Sequence, residues 1–248
     1  MPGQRPILLS VVQFQEVFDA GSATIADMLT AAKRHGADGF EIRPEFWRDR
    51  AQELPAAREQ AARDGLMLTY ATHNSFPLFD PVATDTLRQD IDDAQALGSP
   101  FLRIFPGAVP TDDDAAGWER GKSLATYATA RGITIALENY ARTPGGTLAE
   151  VQRTLAGIPA LQTNVDIGNY TNHGQDVPDA IRALGDRVVS AHLKDQGALA
   201  LGEGTLPLPA ILSELDRLPQ RVLYICEFGG GPDPDATIAG SLAYLKRR

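Results

Sequence analysis

The chain has 248 residues, of which 43% are hydrophobic and 22% are charged. These proportions are ordinary for a globular protein, and the length suits one large α/β barrel or two small domains. A formal net charge of −9 argues against nucleic acids and anionic membrane surfaces as partners. The one cysteine, Cys226, allows no intrachain disulfide and excludes a cysteine-based zinc site.

The hydrophobic run after Pro6 is short. It covers about six residues, fewer than a signal-peptide core or a membrane-spanning helix requires. We therefore expect a cytoplasmic protein that does not associate with membranes.

Strand-like and helix-like runs alternate along the first half of the chain. We predict strands over residues 7–12, 39–42, 66–71 and 100–105. Apolar residues recur at helical spacing between these strands, which predicts helices over residues 24–36, 51–64 and 82–97. A fourth helix is predicted from the acidic run 112–114 to residue 131, because carboxylates favour a helix N-terminus.

The second half of the chain repeats this plan. We predict strands over residues 133–138, 162–167, 187–193 and 221–228, with helices over about 148–156, 177–184, 208–218 and 234–246. Eight strand–helix units without a linker predict one α/β domain over residues 1–248, folded as a single (β/α)8 TIM barrel. A doubly wound sheet is the alternative, but no Gly-x-Gly-x-x-Gly follows the first strand.

The last four predicted strands each end on a side chain that can bind a metal ion. These side chains are Glu138, Asp166, His192 and Glu227. In a barrel the carboxyl ends of all strands meet at one face, so the four side chains should converge. Clustered carboxylates repel each other and are costly to bury, and a cation among them compensates both effects. The pattern predicts one divalent metal ion, and its oxygen-rich ligands suit Mn²⁺ or Mg²⁺, with Co²⁺ or Zn²⁺ as alternatives.

Two candidate substrate-binding residues follow early strands. Glu41 ends the second strand, where it can contact a substrate or form an ion pair with Arg43 at the rim. His73 stands just past the third strand and can contact substrate hydroxyls, or make only a local hydrogen bond within its loop.

Two further candidates are basic residues on later strands. Arg103 lies two residues before the end of the fourth strand. An inward arginine there suits a substrate carboxylate or phosphate, and an ion pair inside the barrel is the alternative. Lys194 follows His192 by two residues, so it shares that side of the strand and can reach substrate oxygens.

The sequence around the four predicted metal ligands resembles the xylose-isomerase-like TIM-barrel family of sugar isomerases and epimerases. The resemblance spans essentially the whole chain, and the spacing of the ligands resembles that of the ketose 3-epimerase branch. The motifs that carry it are Leu137-Glu138-Asn139, Asp166-Ile167-Gly168, His192-x-Lys194-Asp195 and the strand-end Glu227. The resemblance implies that the four ligands hold one divalent metal ion, and that Glu138 and Glu227 also serve as the catalytic acid–base pair.

The resemblance implies a small-molecule substrate with a carbonyl group beside a hydroxyl group. One glutamate would remove a proton to form an ene-diolate, and the other would return it. Return to the opposite face of the same carbon gives an epimer, whereas return to the neighbouring carbon gives an isomer. The family also includes inosose and 3-dehydroshikimate dehydratases, so the alternative is a metal-dependent dehydratase of a keto-cyclitol or a dehydroshikimate-like substrate. Relatives are often dimers or tetramers, so the resemblance allows a homo-oligomer, but nothing in the sequence fixes an interface.

Three positions depart from the ketose epimerase pattern. Asn169 stands where those enzymes have a histidine, Pro144 where they have an acidic residue, and Ala198 where they have an arginine that contacts the substrate. The predicted metal site is therefore better supported than ketose epimerase activity as such.

Two other functions are compatible with the same fold. An apurinic-site endonuclease would need a multinuclear zinc cluster rich in histidines, whereas this chain has four histidines and a net charge that opposes DNA binding. A non-catalytic binding barrel would have no need of four intact metal ligands.

Overall fold

The computed structural model describes residues 5–197, 199–231 and 233–247. Eight strands form a closed barrel in which each strand pairs in parallel with the next, and the last pairs with the first. Strands β1 to β8 cover, in order, Ile7–Ser10, Gly39–Ile42, Met67–Ala71, Phe101–Ile104, Thr134–Glu138, Gln162–Asp166, Val188–Leu193 and Leu223–Cys226. The predicted (β/α)8 TIM barrel is confirmed.

Helices surround the barrel and connect successive strands. Helices α1 to α10 cover, in order, Gln15–Asp19, Ile25–His35, Arg50–Asp64, Thr84–Leu97, Ala115–Thr129, Leu148–Gly157, Ile167–Asn172, Val177–Leu184, Leu208–Arg217 and Pro234–Lys246. None of these helices combines the length and the apolar character that crossing a bilayer requires.

The predicted units are all present, but some of their boundaries differ. The first strand ends at Ser10 instead of residue 12, because Val11–Phe14 form a turn of 3-10 helix. The last strand covers only Leu223–Cys226, shorter than the predicted 221–228. Two short helices were not predicted, because six residues or fewer carry little periodicity: α1 follows the 3-10 turn after β1, and α7 follows β6 directly.

The interior of the barrel changes character along its axis. Toward the amino ends of the strands it is apolar, and it is filled by Leu8, Phe101, Ala136, Leu223 and Ile225. Toward the carboxyl ends it is polar and still buried, with Ser10, Glu41, Arg103, Glu138, Asp166 and His192. The larger apolar core lies between the strands and the helices. The barrel therefore buries a set of charged groups above an apolar base, and such groups need partners there.

Glycines at helix ends have two different structural reasons. Gly36 and Gly65 end α2 and α3 with φ values of 72° and 69°, a backbone conformation that glycine adopts without strain. Gly157 instead remains helical at the end of α6, and a Cβ atom there would lie 2.5 Å from the Trp118 ring. Packing, and not backbone conformation, requires glycine at this position.

Asp90 on α4 is a buried carboxyl group outside the barrel. Its residue is 3% exposed, and its Oδ2 atom has no hydrogen-bond partner among the described residues. Burial, together with the nearby Asp93 and Glu45, raises the pKa of Asp90 to about 8. When the pKa of an acid is higher in the folded state than in the unfolded state, the protonated acid stabilises the fold. This contribution is complete at a pH below the unfolded pKa, which is near 4 for Asp. That contribution is lost as the pH rises to about 8.

We therefore expect Asp90→Asn to gain stability over the wild type as the pH increases. The difference in melting temperature should grow by about 10 °C between pH 5 and pH 8, because the variant has no buried carboxyl group to ionise. Calorimetry across this range measures it, with Asp85→Asn as the control because the Asp85 side chain on the same helix is fully exposed. A difference that stays constant with pH would contradict the raised pKa.

Candidate metal centre

Four potential ligands converge at the carboxyl ends of β5 to β8. Glu138 and Asp166 are the last residues of β5 and β6, His192 is the penultimate residue of β7, and Glu227 directly follows β8. Pairing of β6 with β7 sets Asp166 beside His192. One oxygen or nitrogen atom from each of the four lies within 4.8 Å of those of the others, and all four residues are buried. The structure thus brings together the four residues that the sequence singled out.

His192 lies at the middle of this cluster. Its Nδ1 atom is 3.1 Å from Glu138 Oε2, 3.6 Å from Glu227 Oε2 and 3.9 Å from Asp166 Oδ2. This nitrogen is buried and has no aligned hydrogen-bond partner among the residues that the structure describes. A buried nitrogen facing three carboxylate oxygens fits a divalent cation, and this donor set suits Mn²⁺ or Mg²⁺. The residues present therefore fit the metal ion that the fold family implies.

The Glu138 carboxylate is held by two amide donors and by one ion pair. Asn164 Nδ2 donates to its Oε2 atom at 3.3 Å, and Asn169 Nδ2 donates to its Oε1 atom at 3.2 Å. Arg103 Nε lies 3.1 Å from Oε2, and both side chains are buried. Asn169, one of the three positions at which the sequence departs from the resemblance, is therefore a direct contact of a candidate catalytic residue.

Asp166 is fixed through both its backbone and its side chain. Asn139 Nδ2 donates to the Asp166 carbonyl at 2.8 Å, and the Asp166 N–H donates to Asn139 Oδ1 at 2.7 Å. The Oδ1 atom of Asp166 accepts the Asn169 N–H at 2.7 Å and caps α7. Its Oδ2 atom lies 2.6 Å from Lys194 Nζ. With Oδ1 engaged in the cap, Oδ2 is the atom that can bind a metal ion.

The Glu227 carboxylate is held by two cations. Arg43 Nη2 donates to its Oε1 atom, and Lys194 Nζ donates to its Oε2 atom. The Lys194 stem passes over Gly168, where a Cβ atom would lie 2.7 Å from Lys194 Cδ. Glycine in the Asp166-Ile167-Gly168 motif therefore leaves room for the lysine that reaches the site.

The clustered charges shift the protonation equilibria of the site. Burial favours the neutral imidazole, but the carboxylates of Glu41, Glu138 and Glu227 outweigh it and raise the pKa of His192 to about 10. Burial raises the pKa of Asp166 to about 6 even though Lys194 opposes the shift. The metal-free site thus holds a protonated histidine among its acids. A metal ion that binds Nδ1 must displace a proton from that nitrogen.

Glu41 and Arg103, predicted as substrate contacts, are completely buried in the interior of the barrel. Arg103 forms an ion pair with Glu138 inside the barrel, which is the second of the two roles that the sequence allowed. Glu41 lies 3.8 Å from Arg43, in the predicted ion pair. Its closer contacts are with Ser10 and His192, each at 3.1 Å.

Two predicted contacts lie nearer the surface. The His73 side chain is in the loop after β3, where Nδ1 accepts the Ser75 N–H at 3.1 Å. This is the local hydrogen bond that the sequence left open as an alternative. Lys194 has a side chain that is 25% exposed, so it can meet a molecule entering the barrel. Ala198 lies outside the described residues.

The residues that hold the ligands in place were not predicted from the sequence. Asn139, Asn164 and Ser10 all make buried hydrogen bonds to the cluster or to its supports. Asn139 stands directly after Glu138, and that adjacency was the available signal. Asn164 and Ser10 occupy ordinary strand positions, where sequence alone carries no signal for a polar contact.

A closed barrel of eight parallel strands, with acids and one histidine buried at its carboxyl end, defines the class of (β/α)8 proteins whose site lies at that face. A family model described as xylose isomerase-like TIM barrel matches residues 29–248. The chain belongs to this family. Among proteins with curated descriptions, none matches the sequence.

Solved structures with the same fold include enzymes of more than one reaction class. D-allulose 3-epimerase from Methylomonas sp., in complex with D-allulose, is 19% identical, with a TM-score of 0.81 over 100% of this chain and 98% of that chain. The probable 3-DHS dehydratase AsbF from Bacillus anthracis is 16% identical, with a TM-score of 0.81 over 98% of this chain and 99% of that chain. The 3-keto-D-glucoside 4-epimerase YcjR from E. coli is 18% identical, with a TM-score of 0.71 over 91% of this chain and 95% of that chain. At these identities the similarity establishes the fold.

Proposed function

We propose that this protein is a divalent-metal-dependent isomerase or epimerase of a small sugar or a related hydroxy-carbonyl compound. The observation that carries the proposal is the convergence of Glu138, Asp166, His192 and Glu227 within 4.8 Å at the carboxyl end of the barrel. Family membership and the epimerases among the similar folds support the same conclusion.

The four converging residues would hold one Mn²⁺ or Mg²⁺ ion, with Co²⁺ or Zn²⁺ as alternatives. When bound, the ion would polarise the substrate carbonyl and stabilise negative charge on the neighbouring oxygens. Glu138 and Glu227 would also act as the acid and the base. Each carboxylate has two oxygens, and only one of them faces the centre of the cluster.

In this proposal the two glutamates would move a proton on opposite sides of a substrate. Strands β6 and β7 separate β5 from β8, so Glu138 and Glu227 reach the site from different sides. One carboxylate would take the proton from the carbon beside the carbonyl, and the other would return it. Donors to both carboxylates keep them in place between these steps, which reduces the reorganisation that the reaction requires.

Substrate contacts in this proposal come from the more accessible side chains. Lys194 Nζ would donate to substrate oxygens, and His73 would contact a hydroxyl group from the loop after β3. Arg103 would act on the substrate only through Glu138, because its guanidinium group is buried against that carboxylate. A second copy of the chain remains a proposed partner, in line with the family resemblance.

A dehydratase is the second candidate. It starts with the same proton removal and then expels a hydroxyl group, which must be protonated as it leaves. The ammonium group of Lys194 contacts Glu227 and is partly accessible, so it lies within reach of a departing hydroxyl group. This position favours the dehydratase as the alternative, on a keto-cyclitol or a dehydroshikimate-like substrate.

Proton exchange from solvent tests both candidates. The protein would be loaded with Mn²⁺ and the ion located by anomalous diffraction. Ketopentoses, ketohexoses, inososes and 3-dehydroshikimate would then be incubated with it in D₂O and followed by NMR. We expect deuterium at the carbon beside the carbonyl of one compound. A labelled epimer or isomer supports the first candidate, and a product that has lost one molecule of water supports the second. No bound ion at millimolar Mn²⁺ would contradict both.

A further inference from the structure

The two ring nitrogens of His192 have different surroundings. Nδ1 faces the oxygens of Glu138, Asp166 and Glu227. Nε2 points the other way and lies 3.1 Å from Glu41 Oε2. When Nδ1 gives up its proton to bind a metal ion, the imidazole keeps one N–H donor, and the carboxylate beside Nε2 is placed to accept from it.

Glu41 has no access to a substrate in this arrangement. Its residue is 0% exposed, and both of its oxygens are engaged. Oε1 accepts the Ser10 hydroxyl at 3.1 Å and lies 3.8 Å from Arg43 Nη2, while Oε2 faces His192. Ser10 and Glu41 are paired in register on β1 and β2, so the backbone itself places the hydroxyl beside the carboxylate.

The contact between Glu41 and His192 crosses the interior of the barrel. The two residues are on β2 and β7, which are separated by β8 and β1 in the ring of strands. Both side chains are completely buried. A carboxylate in this position costs free energy unless it has donors, and the imidazole N–H and the serine hydroxyl supply them.

We propose that Glu41 is a positioning residue for His192: it accepts the Nε2 proton and thereby holds the ring with Nδ1 facing the metal site. The inference rests on the proposed function for the presence of that ion. In place of the substrate contact predicted for Glu41, the inference gives this residue a role in orienting a metal ligand. Carboxylate partners of metal-binding histidines typically contribute 10–100-fold to metal affinity.

Two substitutions at Glu41 separate the hydrogen bond from the charge. Glu41→Met has a similar length but no acceptor, and it should weaken metal binding by about 10–100-fold. Glu41→Gln keeps a carbonyl oxygen for the Nε2 proton and should lose less. Ser10→Ala leaves Glu41 with one donor fewer and should show a smaller loss. Chelator competition with Mn²⁺ and Zn²⁺ measures these affinities, with Glu59→Met as the control because the Glu59 side chain is 75% exposed on α3.

Nitrogen NMR gives a readout that a loss of packing would not change. In zinc-loaded protein with ¹⁵N-labelled histidine, His192 should show a protonated Nε2 and a metal-bound Nδ1. A His192→Gln variant assigns its signals among the four histidines. In metal-free protein, the Nε2 proton should exchange slowly with water in the wild type and rapidly in Glu41→Met.

The outcomes separate this inference from the proposed function. Metal affinity within about twofold of the wild type in Glu41→Met, with a raised KM, would overturn the positioning role and restore the substrate contact. A Glu41→Met variant that fails to fold leaves Glu41→Gln and Ser10→Ala to decide, and unchanged affinity in both would also overturn it. A wild-type protein that binds no metal contradicts the proposed function. In that case a slowly exchanging Nε2 proton still supports the contact with Glu41, and a rapidly exchanging one overturns it.

Discussion

Glu138→Gln and Glu227→Gln should each lower turnover of the substrate by about 10²–10⁴-fold, the range that a positioned acid or base contributes. Glutamine has the size of glutamate and keeps an oxygen for the metal ion, but it cannot take or return a proton. The asparagine donors of Glu138 and the cations at Glu227 do not supply this function. Steady-state kinetics at a metal concentration that saturates each variant would measure the loss.

Isotope exchange should distinguish the two glutamates. If the enzyme is an epimerase, each glutamate removes the proton from one of the two epimers. A variant that lacks one glutamate should still exchange the proton of one epimer with D₂O, but it should form no product and leave the other epimer unlabelled. Glu138→Gln and Glu227→Gln should show opposite preferences.

The control for these variants is Glu59→Gln, which changes an exposed glutamate on α3. It should retain the activity and the exchange of the wild type. If Glu138→Gln and Glu227→Gln keep full turnover while binding metal normally, the acid–base assignment is wrong. Loss of turnover with exchange of both epimers intact in both variants would also contradict it.

Asp166→Asn should remove most of the metal binding and, with it, the activity. The amide replaces a charged ligand by a neutral one, and its N–H donors can turn toward the cation. Its oxygen can still accept the Asn169 N–H, so the cap of α7 is retained and the fold should persist. We expect metal affinity to fall by more than about 10²-fold, because even changes to the partners of metal ligands cost 10–100-fold.

Calorimetric titration with Mn²⁺ and elemental analysis of the dialysed protein would measure this change. Asp85→Asn is the matched control, because its side chain is fully exposed on α4. Chelation of the wild type should abolish activity, and added Mn²⁺ should restore it. One tightly bound ion per chain in Asp166→Asn would remove Asp166 from the proposed ligand set.

The sequence alone predicted the barrel and the residues at its centre. Eight alternating strands and helices have few other ways to bury one face of each element, so local periodicity was sufficient for the fold. The convergence of Glu138, Asp166, His192 and Glu227 followed from the same topology, because all strands of a parallel barrel end at one face. That each of the four stands at or next to a strand end could be read directly along the chain.

The contacts that support these four residues were decided by the tertiary structure. Glu41 meets His192 across the barrel, and Arg103 meets Glu138 from the neighbouring strand. Which inward side chains meet depends on the stagger between strands and on the width of the barrel, and neither leaves a local signal in the sequence. Glu41 and Arg103 could therefore be recognised from the sequence as inward and polar. Their complete burial and the identity of their partners could be known only from the folded barrel.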